Sequence, residues 1–437
     1  PVTQACCSAS AVMAFHDPSR LRSSTSSTCR SGWAGWSAAI SRLVSSSTVS
    51  AASSIVARPL VFLGDISYSL YLVHWPLFSF AANAWVSPTP AVVRLVLMVI
   101  SLGLAMLLNR CVEVPMRRAT LAVGWRQATI FVAGSVVVAV SGMIAWKVDA
   151  IADSRDYVYD RRANYGLDVE CEYADVFIPS SKCRSGENPK VLVWGDSNAM
   201  HLVAGLVGAK GIELEQATRS VCGPLLGIAP VEASGQYDER WARGCLTFND
   251  DVFAHVARSD SIKTVVLASA FGAYLDGSSF IVRAFDSRGS ETITRAADDP
   301  ERVYAALVGT ITQLRSLGVR VVVVAPPPSV KGIDAARCLE LRATGKLYFG
   351  ADYSDCRISR ARYQNDRAAV LSLLARLKTD AFAPVLSFDE DLCGGDTCIV
   401  ELDGVGIYRD PGHFSYAGSE YLGRKLGLID RILNVAR

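Results

Sequence analysis

The chain has 437 residues, which is more than one ordinary globular core needs and enough for two or three units. Hydrophobic residues make up 50% of it and the mean hydropathy is +0.25, values that are high for a wholly soluble protein and indicate membrane segments. The formal net charge is +2, so the overall charge gives no reason to expect a nucleic acid or a strongly acidic partner.

The first 57 residues are rich in Ser and Ala and contain no sustained apolar run. Stretches such as "RSSTSSTCR" and "SSSTVSAASS" are of low complexity, and the basic, apolar and small-residue blocks of a signal peptide do not occur in order. We therefore predict a disordered start over residues 1–57 and assign no chemistry to it.

Three apolar stretches follow, at about 66–85, 91–108 and 128–146. Each is close to the roughly 20 residues that an α-helix needs to cross a bilayer. The loop between the second and third stretches is basic, and by the positive-inside rule it is predicted to be cytoplasmic; its cations are Arg110, Arg117, Arg118 and Arg126. The third span would then deliver everything after residue 147 to the outside.

The cysteine positions agree with this topology. Eight of the 12 cysteines come after residue 170, in near pairs: Cys171/Cys183, Cys222/Cys245, Cys338/Cys356 and Cys393/Cys398. Such pairs are typical of a disulfide framework in an oxidising compartment. A metal site, the alternative, needs tight CxxC pairs or clustered histidines, and only Cys393/Cys398 comes close.

The chain after the third span has an α/β pattern. Residues 149–188 read as an extracytoplasmic linker with a small disulfide-stapled lobe. From 189 to 437, strands predicted at 190–194, 212–217, 263–269, 319–325 and 384–388 alternate with helices predicted at 198–209, 301–317, 358–378 and 416–434. Short apolar strands separated by amphipathic helices predict a parallel sheet flanked by helices.

The stretch "VLVWGDSNAM" (191–200) places a serine, Ser197, where a buried strand passes into a helix. A serine hydroxyl becomes a nucleophile when a base takes its proton and N–H groups stabilise the oxyanion. The alternative is an ordinary helix N-cap, a role that Ser, Asp and Asn all fill. Asp196 is predicted to bond backbone amides within the turn.

The stretch "YRDPGHFSYAG" (408–418) places Asp410 three residues before His413 on a Pro-Gly turn. This spacing lets the carboxylate orient the imidazole and stabilise its cation. The alternative is a plain surface turn. The two other histidines after residue 150, His201 and His255, lie in predicted helices and are interpreted as packing or surface residues.

Together these motifs resemble a known family. The Gly-Asp-Ser block after the first strand and the C-terminal Asp-x-x-His resemble an SGNH (GDSL-type) hydrolase domain at 189–437. "FLGDISYSLYLVHWPLF" (62–78) and "VEVPMRRA" (112–119) resemble late segments of the acyltransferase-3 (AT3) membrane domain. The resemblance implies a C-terminal remnant of that domain, with two transmembrane helices, at 58–120, and a linking transmembrane helix at 126–148.

The resemblance also implies roles for individual residues. Ser197 would be the nucleophile, His413 the general base and Asp410 the group that orients it, with no metal. Besides the N–H of Ser197, the candidate oxyanion donors are Gly223 in "SVCGPLLG" and Asn249 in "CLTFND". The implied reaction is transfer of an acetyl group, through an ester on Ser197, to a hydroxyl of a bacterial cell-surface glycan such as lipopolysaccharide.

The chain departs from the AT3 pattern, because only the last two spans of that domain are matched. The full membrane domain would use acetyl-CoA or another acyl donor, and none is expected to be bound here. A separate chain could supply the missing helices. We expect a multi-pass inner-membrane protein, in contact with the lipid bilayer, with its C-terminal domain in the periplasm. The alternatives are a membrane-anchored carbohydrate esterase and a truncated, inactive fragment or glycan-binding protein.

An acyltransferase must hold a sugar so that its hydroxyl outcompetes water. Aromatic side chains that could stack on a sugar are Trp241, Tyr274 and Tyr416. The sequence does not place them, and a role in the core is the alternative for each.

Overall fold

A computed structural model of the chain describes residues 52–118, 124–151, 157–207, 212–232, 235–275, 280–285, 291–295, 299–380 and 382–435. The chain divides into two units, Pro1–Leu70 and Tyr71–Arg437. The predicted disordered start lies outside the described residues as far as residue 51. From residue 52 onward the chain is helical, so the prediction extended six residues too far.

The helices, in chain order, are α1 Ala52–Ala84, α2 Ala91–Leu108, α3 Val114–Arg118, α4 Trp125–Ile151, α5 Tyr157–Asp160, α6 Ser197–Leu206, α7 Glu239–Arg258, α8 Gly272–Leu275, α9 Pro300–Ser316, α10 Ala335–Ala343, α11 Arg360–Asp366, α12 Ala368–Thr379, α13 Asp389–Leu392, α14 Tyr416–Leu426 and α15 Leu428–Val435. A π-helical turn, Asn109–Glu113, joins α2 to α3. Two 3₁₀ turns, Val169–Cys171 and Ser181–Cys183, lie in the predicted stapled lobe.

The strands, in chain order, are β1 Val191–Gly195, β2 Leu214–Thr218, β3 Ile228–Glu232, β4 Thr264–Ala268, β5 Phe280–Phe285, β6 Glu291–Arg295, β7 Arg320–Val324, β8 Ile358–Ser359, β9 Val385–Leu386, β10 Cys393–Gly394, β11 Thr397–Cys398, β12 Glu401–Leu402 and β13 Val405–Gly406. The central sheet has five parallel strands in the order β2-β1-β4-β7-β9. A smaller antiparallel sheet joins β3, β5 and β6.

The central sheet is buried on both faces, which explains why β1, β4 and β7 are largely apolar. β2 is equally buried although it contains Glu215 and Gln216. Along β1, Leu192 and Trp194 pack into one hydrophobic core, whereas Val191 and Val193 pack into the core on the opposite face. The carboxyl ends of these strands meet at one edge of the sheet, and in open parallel sheets this edge is where sites form.

The predicted α/β fold is confirmed, and each of the five predicted strands forms one strand of the central sheet. Two predicted helices are each divided in the structure. The segment 358–378 contains a short strand and two helices that meet at Arg367, and 416–434 is interrupted by Gly427. Gly427 has φ +54°, a left-handed conformation that commonly ends a helix. The antiparallel sheet was not predicted.

The three predicted membrane spans all form helices, but only one of them is supported by its own composition. Among the helices in the described part of the chain, Ala91–Arg117 alone is long and apolar enough to cross a membrane. A shorter apolar segment, Val132–Met143, lies within α4. The other two predicted spans do not meet this criterion over their described residues.

The near pairs of cysteines are all bonded as predicted. The disulfides are Cys171–Cys183, Cys222–Cys245, Cys338–Cys356 and Cys393–Cys398. Each closes a short loop within the α/β part of the chain. The metal alternative for the last pair is therefore wrong.

Candidate active site

A tight strand-to-helix turn presents Ser197. β1 ends at Gly195, Asp196 caps the following helix by accepting the N–H of Asn198 at 2.8 Å, and Ser197 is the first helical residue. Gly195 has φ +156°, and a Cβ there would lie 1.8 Å from the carbonyl oxygen of Ala268. Only glycine therefore allows the turn to lie this close to β4.

The structure brings the three predicted catalytic residues together. Ser197 Oγ lies 2.8 Å from His413 Nε2. On the other side of the ring, His413 Nδ1 lies 2.8 Å and 2.9 Å from the two carboxylate oxygens of Asp410. These distances are within hydrogen-bond range and have the order of partners that a nucleophile, a base and an orienting carboxylate require.

Asp410 is held in its ionised form. Burial would raise its pKa, but hydrogen bonding and charge interaction with His413, together with Arg409 at 3.3 Å, lower the pKa to about 2. The backbone N–H groups of Gly412 and His413 also donate to Asp410 Oδ1, each at 2.9 Å. A carboxylate fixed in this way keeps the Nδ1 proton on His413 and leaves Nε2 to accept the serine proton.

Asp196 has the structural role that the sequence predicted for it. It is buried, and its second oxygen accepts hydrogen bonds from the Ser269 hydroxyl at 2.6 Å and the Ala270 N–H at 3.0 Å. Burial raises its pKa, while these hydrogen bonds act in the opposite direction. Asp196 thus ties the serine turn to the end of β4.

The two candidate oxyanion donors, Gly223 and Asn249, have hydrogen-bond partners elsewhere in the fold. Its fully buried amide accepts from Trp194 Nε1 and donates to the carbonyl oxygens of Gly223 at 2.9 Å and Leu225 at 3.2 Å. The N–H of Gly223 donates to the Tyr274 hydroxyl at 3.0 Å. Neither residue lines the pocket of Ser197, so Asn249 instead supports the loop that contains Gly223.

The N–H of Ser197 remains a candidate donor. As the first residue of α6, Ser197 has no carbonyl one turn earlier in the helix to accept its N–H. The positive end of the helix dipole lies at the same place and favours a developing negative charge.

A pocket of about 250 Å³ surrounds Ser197 and His413; its other lining residues are Asp196, Asn198, Val221, Ala270, Phe271, Ala273, Tyr274, Arg367 and Gly412. The sequence reasoning missed Arg367, whose Nη2 donates to Ser329 at 2.9 Å, because no motif marks it. It also missed Val221 and Phe271, which have φ values of 63° and 52°. Such angles are strained for these side chains, and strained residues often cluster at functional sites.

The two other histidines pack as the sequence indicated. His201 is buried 5.7 Å from His413 and 4.8 Å from Phe414, measured between ring centroids. Burial, followed by the proximity of His413, lowers its pKa well below the usual value, so it stays neutral. His255 contacts the buried Glu215 at 2.9 Å, away from the pocket of Ser197.

A comparison with protein families identifies the family of the α/β part of the chain. A model of the SGNH domain (fused to AT3 domains) matches residues 170–427, more than half of the chain. The chain belongs to this SGNH family. The match begins within the segment 149–188 that was predicted to be a linker, so the disulfide-stapled lobe forms part of the SGNH domain. No curated protein matches the chain.

Two solved structures are similar to the chain. The periplasmic domain of a lipopolysaccharide acetyltransferase from Salmonella ser. Paratyphi A is 19% identical; the match covers 56% of this chain and 85% of that one, with a TM-score of 0.39. The salicylyl-acyltransferase SsfX3 from a tetracycline biosynthetic pathway is 12% identical, over 57% and 56% of the two chains, with a TM-score of 0.29. Neither likeness assigns a role to a residue of this chain.

Proposed function

We propose that the SGNH domain is an O-acyltransferase that moves an acetyl group to a hydroxyl of a bacterial cell-surface glycan. The observation that carries the proposal is the continuous hydrogen-bonded chain from Ser197 through His413 to Asp410, in a pocket with room for a small acyl group. Membership of a family named for its fusion to AT3 domains favours acyl transfer over other serine chemistry.

The reaction has two steps: acylation of Ser197 and transfer of the acyl group to the sugar. In the first, Ser197 Oγ attacks the acyl carbonyl, its proton passes to His413 Nε2, and the leaving group departs with that proton. In the second, the sugar hydroxyl gives its proton to His413 Nε2 and attacks the acyl-serine ester, and Ser197 then leaves and recovers the proton. The N–H of Ser197 stabilises the oxyanion in both halves.

The same site would act in an extracytoplasmic compartment. Four disulfide bonds in the SGNH domain indicate an oxidising environment. The membrane-spanning α2 region, Ala91–Arg117, would anchor the chain to the inner membrane. The acyl donor, acetyl-CoA or another activated acyl group, would reach Ser197 through membrane helices, either of this chain or of a partner.

An esterase is the second candidate. Ser197 and His413 are only partly buried, so water can reach the acyl-serine ester. If water replaces the sugar hydroxyl in the second half of the reaction, the same residues release the free acid. The two candidates share the first half and differ only in the acceptor.

The first test is hydrolysis of p-nitrophenyl acetate by the full chain in a sugar-free detergent. Wild type should release p-nitrophenol, and Ser197→Ala should lose nearly all of this activity, because removal of a triad nucleophile costs roughly a millionfold in kcat. The matched control is the exposed Ser181→Ala, which should keep wild-type activity. Equal rates in wild type and Ser197→Ala would refute the proposed nucleophile.

A further inference from the structure

An open groove of about 590 Å³ lies beside the catalytic pocket. Arg219, Ser220, Tyr237 and Trp241 line it; the other lining residues are Val169, Glu172, Tyr173, Ala174, Asp175, Gln236, Asp238 and Arg240. The groove is formed where the disulfide-stapled lobe, the loop after β2 and the start of α7 come together. None of its residues takes part in the hydrogen-bonded chain at Ser197.

The groove and the catalytic pocket share a wall. Arg219 and Ser220 line the groove, and the next residue, Val221, lines the pocket of Ser197. Consecutive Cα atoms are only about 3.8 Å apart. The N–H of Arg219 also donates to the carbonyl oxygen of Gly195, two residues before Ser197, at 3.0 Å. The groove and the catalytic pocket are therefore lined by consecutive residues of the loop after β2.

Of the three aromatic residues that the sequence offered for sugar stacking, only Trp241 lines this groove. Tyr274 is fully buried and its hydroxyl bonds Gly223. Tyr416 lines a different cavity, and its hydroxyl accepts the N–H of Tyr165. Trp241 lines the groove and keeps part of its surface exposed.

The indole of Trp241 is held in place before any ligand arrives. The Tyr237 ring meets it at an interplanar angle of 76°, with centroids 5.0 Å apart, and the Arg219 guanidinium lies 5.0 Å from its centroid. Arg219 Nη2 also donates to the Trp241 carbonyl oxygen at 3.1 Å. A ring fixed in this way loses little conformational entropy when a ligand packs on it.

Polar groups around the indole suit hydroxyl-rich ligands. Carboxylates accept hydrogen bonds from hydroxyl groups, and the groove has three, on Glu172, Asp175 and Asp238. One oxygen of each already has a partner: the Ser220 hydroxyl, Arg219 Nη2 at 3.5 Å and the Trp241 N–H at 2.9 Å, respectively. The second oxygen of each can accept from a ligand hydroxyl. Arg219 supplies donors: it is only 2% exposed, and within the described part of the chain its Nε and Nη1 have no hydrogen-bond partner. Buried donors without partners are rare and often mark a binding function.

We propose that this groove binds a neutral oligosaccharide. This oligosaccharide is the part of the acceptor glycan next to the sugar that receives the acyl group from Ser197. An aromatic platform flanked by acceptors and a buried donor matches the apolar faces and hydroxyl edges of hexose units. The three carboxylates exceed the two guanidiniums of Arg219 and Arg240, which disfavours a glycan made of uronic acids. The assignment as an acceptor site depends on the proposed function, but oligosaccharide binding does not.

The test measures binding in the full-length Ser197→Ala chain, so that no turnover is needed. Maltotetraose, cellotetraose and mannotetraose are titrated one by one in a sugar-free detergent, with oligogalacturonate as the anionic comparator, and saturation-transfer NMR reports binding. At least one neutral chain should bind. Adding Trp241→Ala should weaken its binding about tenfold or more, as expected for a central aromatic contact. Trp241→Phe should weaken it less.

Tyr159→Ala is the matched control, because Tyr159 is an exposed aromatic residue that does not line the groove, and binding should be unchanged. Failure of every neutral chain to bind would overturn the proposal. So would equal binding with and without Trp241, or tighter binding of oligogalacturonate. If the wild-type chain did not hydrolyse the ester, only the catalytic proposal would be refuted, since binding is measured in a variant that needs no catalytic activity.

Discussion

At the residue scale, the site depends on two turns that lie 216 positions apart in the sequence. The first turn requires Gly195, because any side chain there would collide with the carbonyl of Ala268. In the second turn, Asp410 has two roles. Its carboxylate accepts the backbone N–H groups of Gly412 and His413, and it also contacts the His413 ring at Nδ1. A single carboxylate therefore links the conformation of the turn to the orientation of the His413 imidazole.

This double role predicts a pH-dependent stability. The pKa of Asp410 falls to about 2 in the folded chain, below the ordinary aspartate value of 3.8, so the folded state favours the ionised form. The resulting stabilisation is present above the unfolded pKa and is lost as the pH falls through the folded pKa. By linkage it amounts to roughly 2 kcal/mol near neutral pH.

Asp410→Asn should therefore lower the free energy of unfolding by roughly 2 kcal/mol at about pH 6 and by much less at about pH 2. Urea unfolding followed by near-ultraviolet circular dichroism measures the difference. Asp403→Asn is the matched control: its pKa is also lowered, by Lys425, but this pair is exposed to solvent and should contribute little. A pH-independent effect of Asp410→Asn would contradict the assigned charge interaction.

At the element scale, the sequence predicted the strands and helices that a local hydrophobic pattern determines. β1, β4 and β7 are short apolar runs bounded by polar segments, and every strand of the central sheet was located to within two or three residues. The antiparallel sheet was missed because β3 and β5 pair across nearly fifty residues and β3 contains Pro230, which is atypical of a strand. The helix break at Gly427 depends on a left-handed residue within an otherwise helical pattern.

The residues of the candidate site also fall into those that a local motif predicts and those whose position depends on the tertiary fold. Ser197 follows an apolar strand and Asp410 precedes His413 by three residues, so local motifs were enough to predict the three residues that the structure brings together. Whether Gly223 and Asn249 face the pocket depends on how the loop around Gly223 folds. Asn249 lies on α7 and faces Trp194 and that loop, an orientation that no local pattern records.

The disulfide Cys222–Cys245 joins this loop to α7 and is expected to support the site. Replacing both cysteines with alanine should lower the free energy of unfolding by about 3 kcal/mol, as loop closure predicts for its separation of 23 residues. It should also slow p-nitrophenyl acetate hydrolysis, because Val221 and Gly223 lie next to the bond. Thermal unfolding and initial rates measure the two effects.

The matched control is the double alanine variant of Cys393–Cys398, which closes a loop of separation 5 and does not line the pocket. It should lose about 2 kcal/mol of stability by the same relation and keep its hydrolytic rate. If both double variants kept the same rate, the loop after β2 would not be needed to form the site.

At the scale of the whole molecule, the connection between α1 and α2 is bonded to the α/β part of unit Tyr71–Arg437. Phe349 N–H donates to the Ala84 carbonyl at 2.8 Å, Val86 N–H donates to the Phe349 carbonyl at 2.9 Å, and Asp334 N–H donates to the Val86 carbonyl at 2.7 Å. The Trp85 and Phe349 rings pack with centroids 4.6 Å apart. A loop bonded to a domain must lie on the same side of a membrane as that domain.

The charge pattern predicts the same topology independently. If the basic loop after α2 is cytoplasmic, the α1–α2 connection at the other end of α2 lies outside, on the side of the exported domain. Thr89→Cys should therefore react with a membrane-impermeant maleimide in intact spheroplasts, in a chain where serine replaces Cys6, Cys7, Cys29 and Cys111. Thr120→Cys, in the predicted cytoplasmic loop, should react only after lysis. If both cysteines, or neither of them, were labelled in intact spheroplasts, this topology would be contradicted.

The central claim is that Ser197, activated by His413 and Asp410, becomes acylated. Treating the full chain with a fluorophosphonate and identifying the modified peptide by mass spectrometry tests it most directly, since such reagents need an activated serine. The account predicts one adduct, on Ser197, that is absent in Ser197→Ala and sharply reduced in Asp410→Asn. An unmodified Ser197 in wild type, or equal labelling in Asp410→Asn, would contradict it.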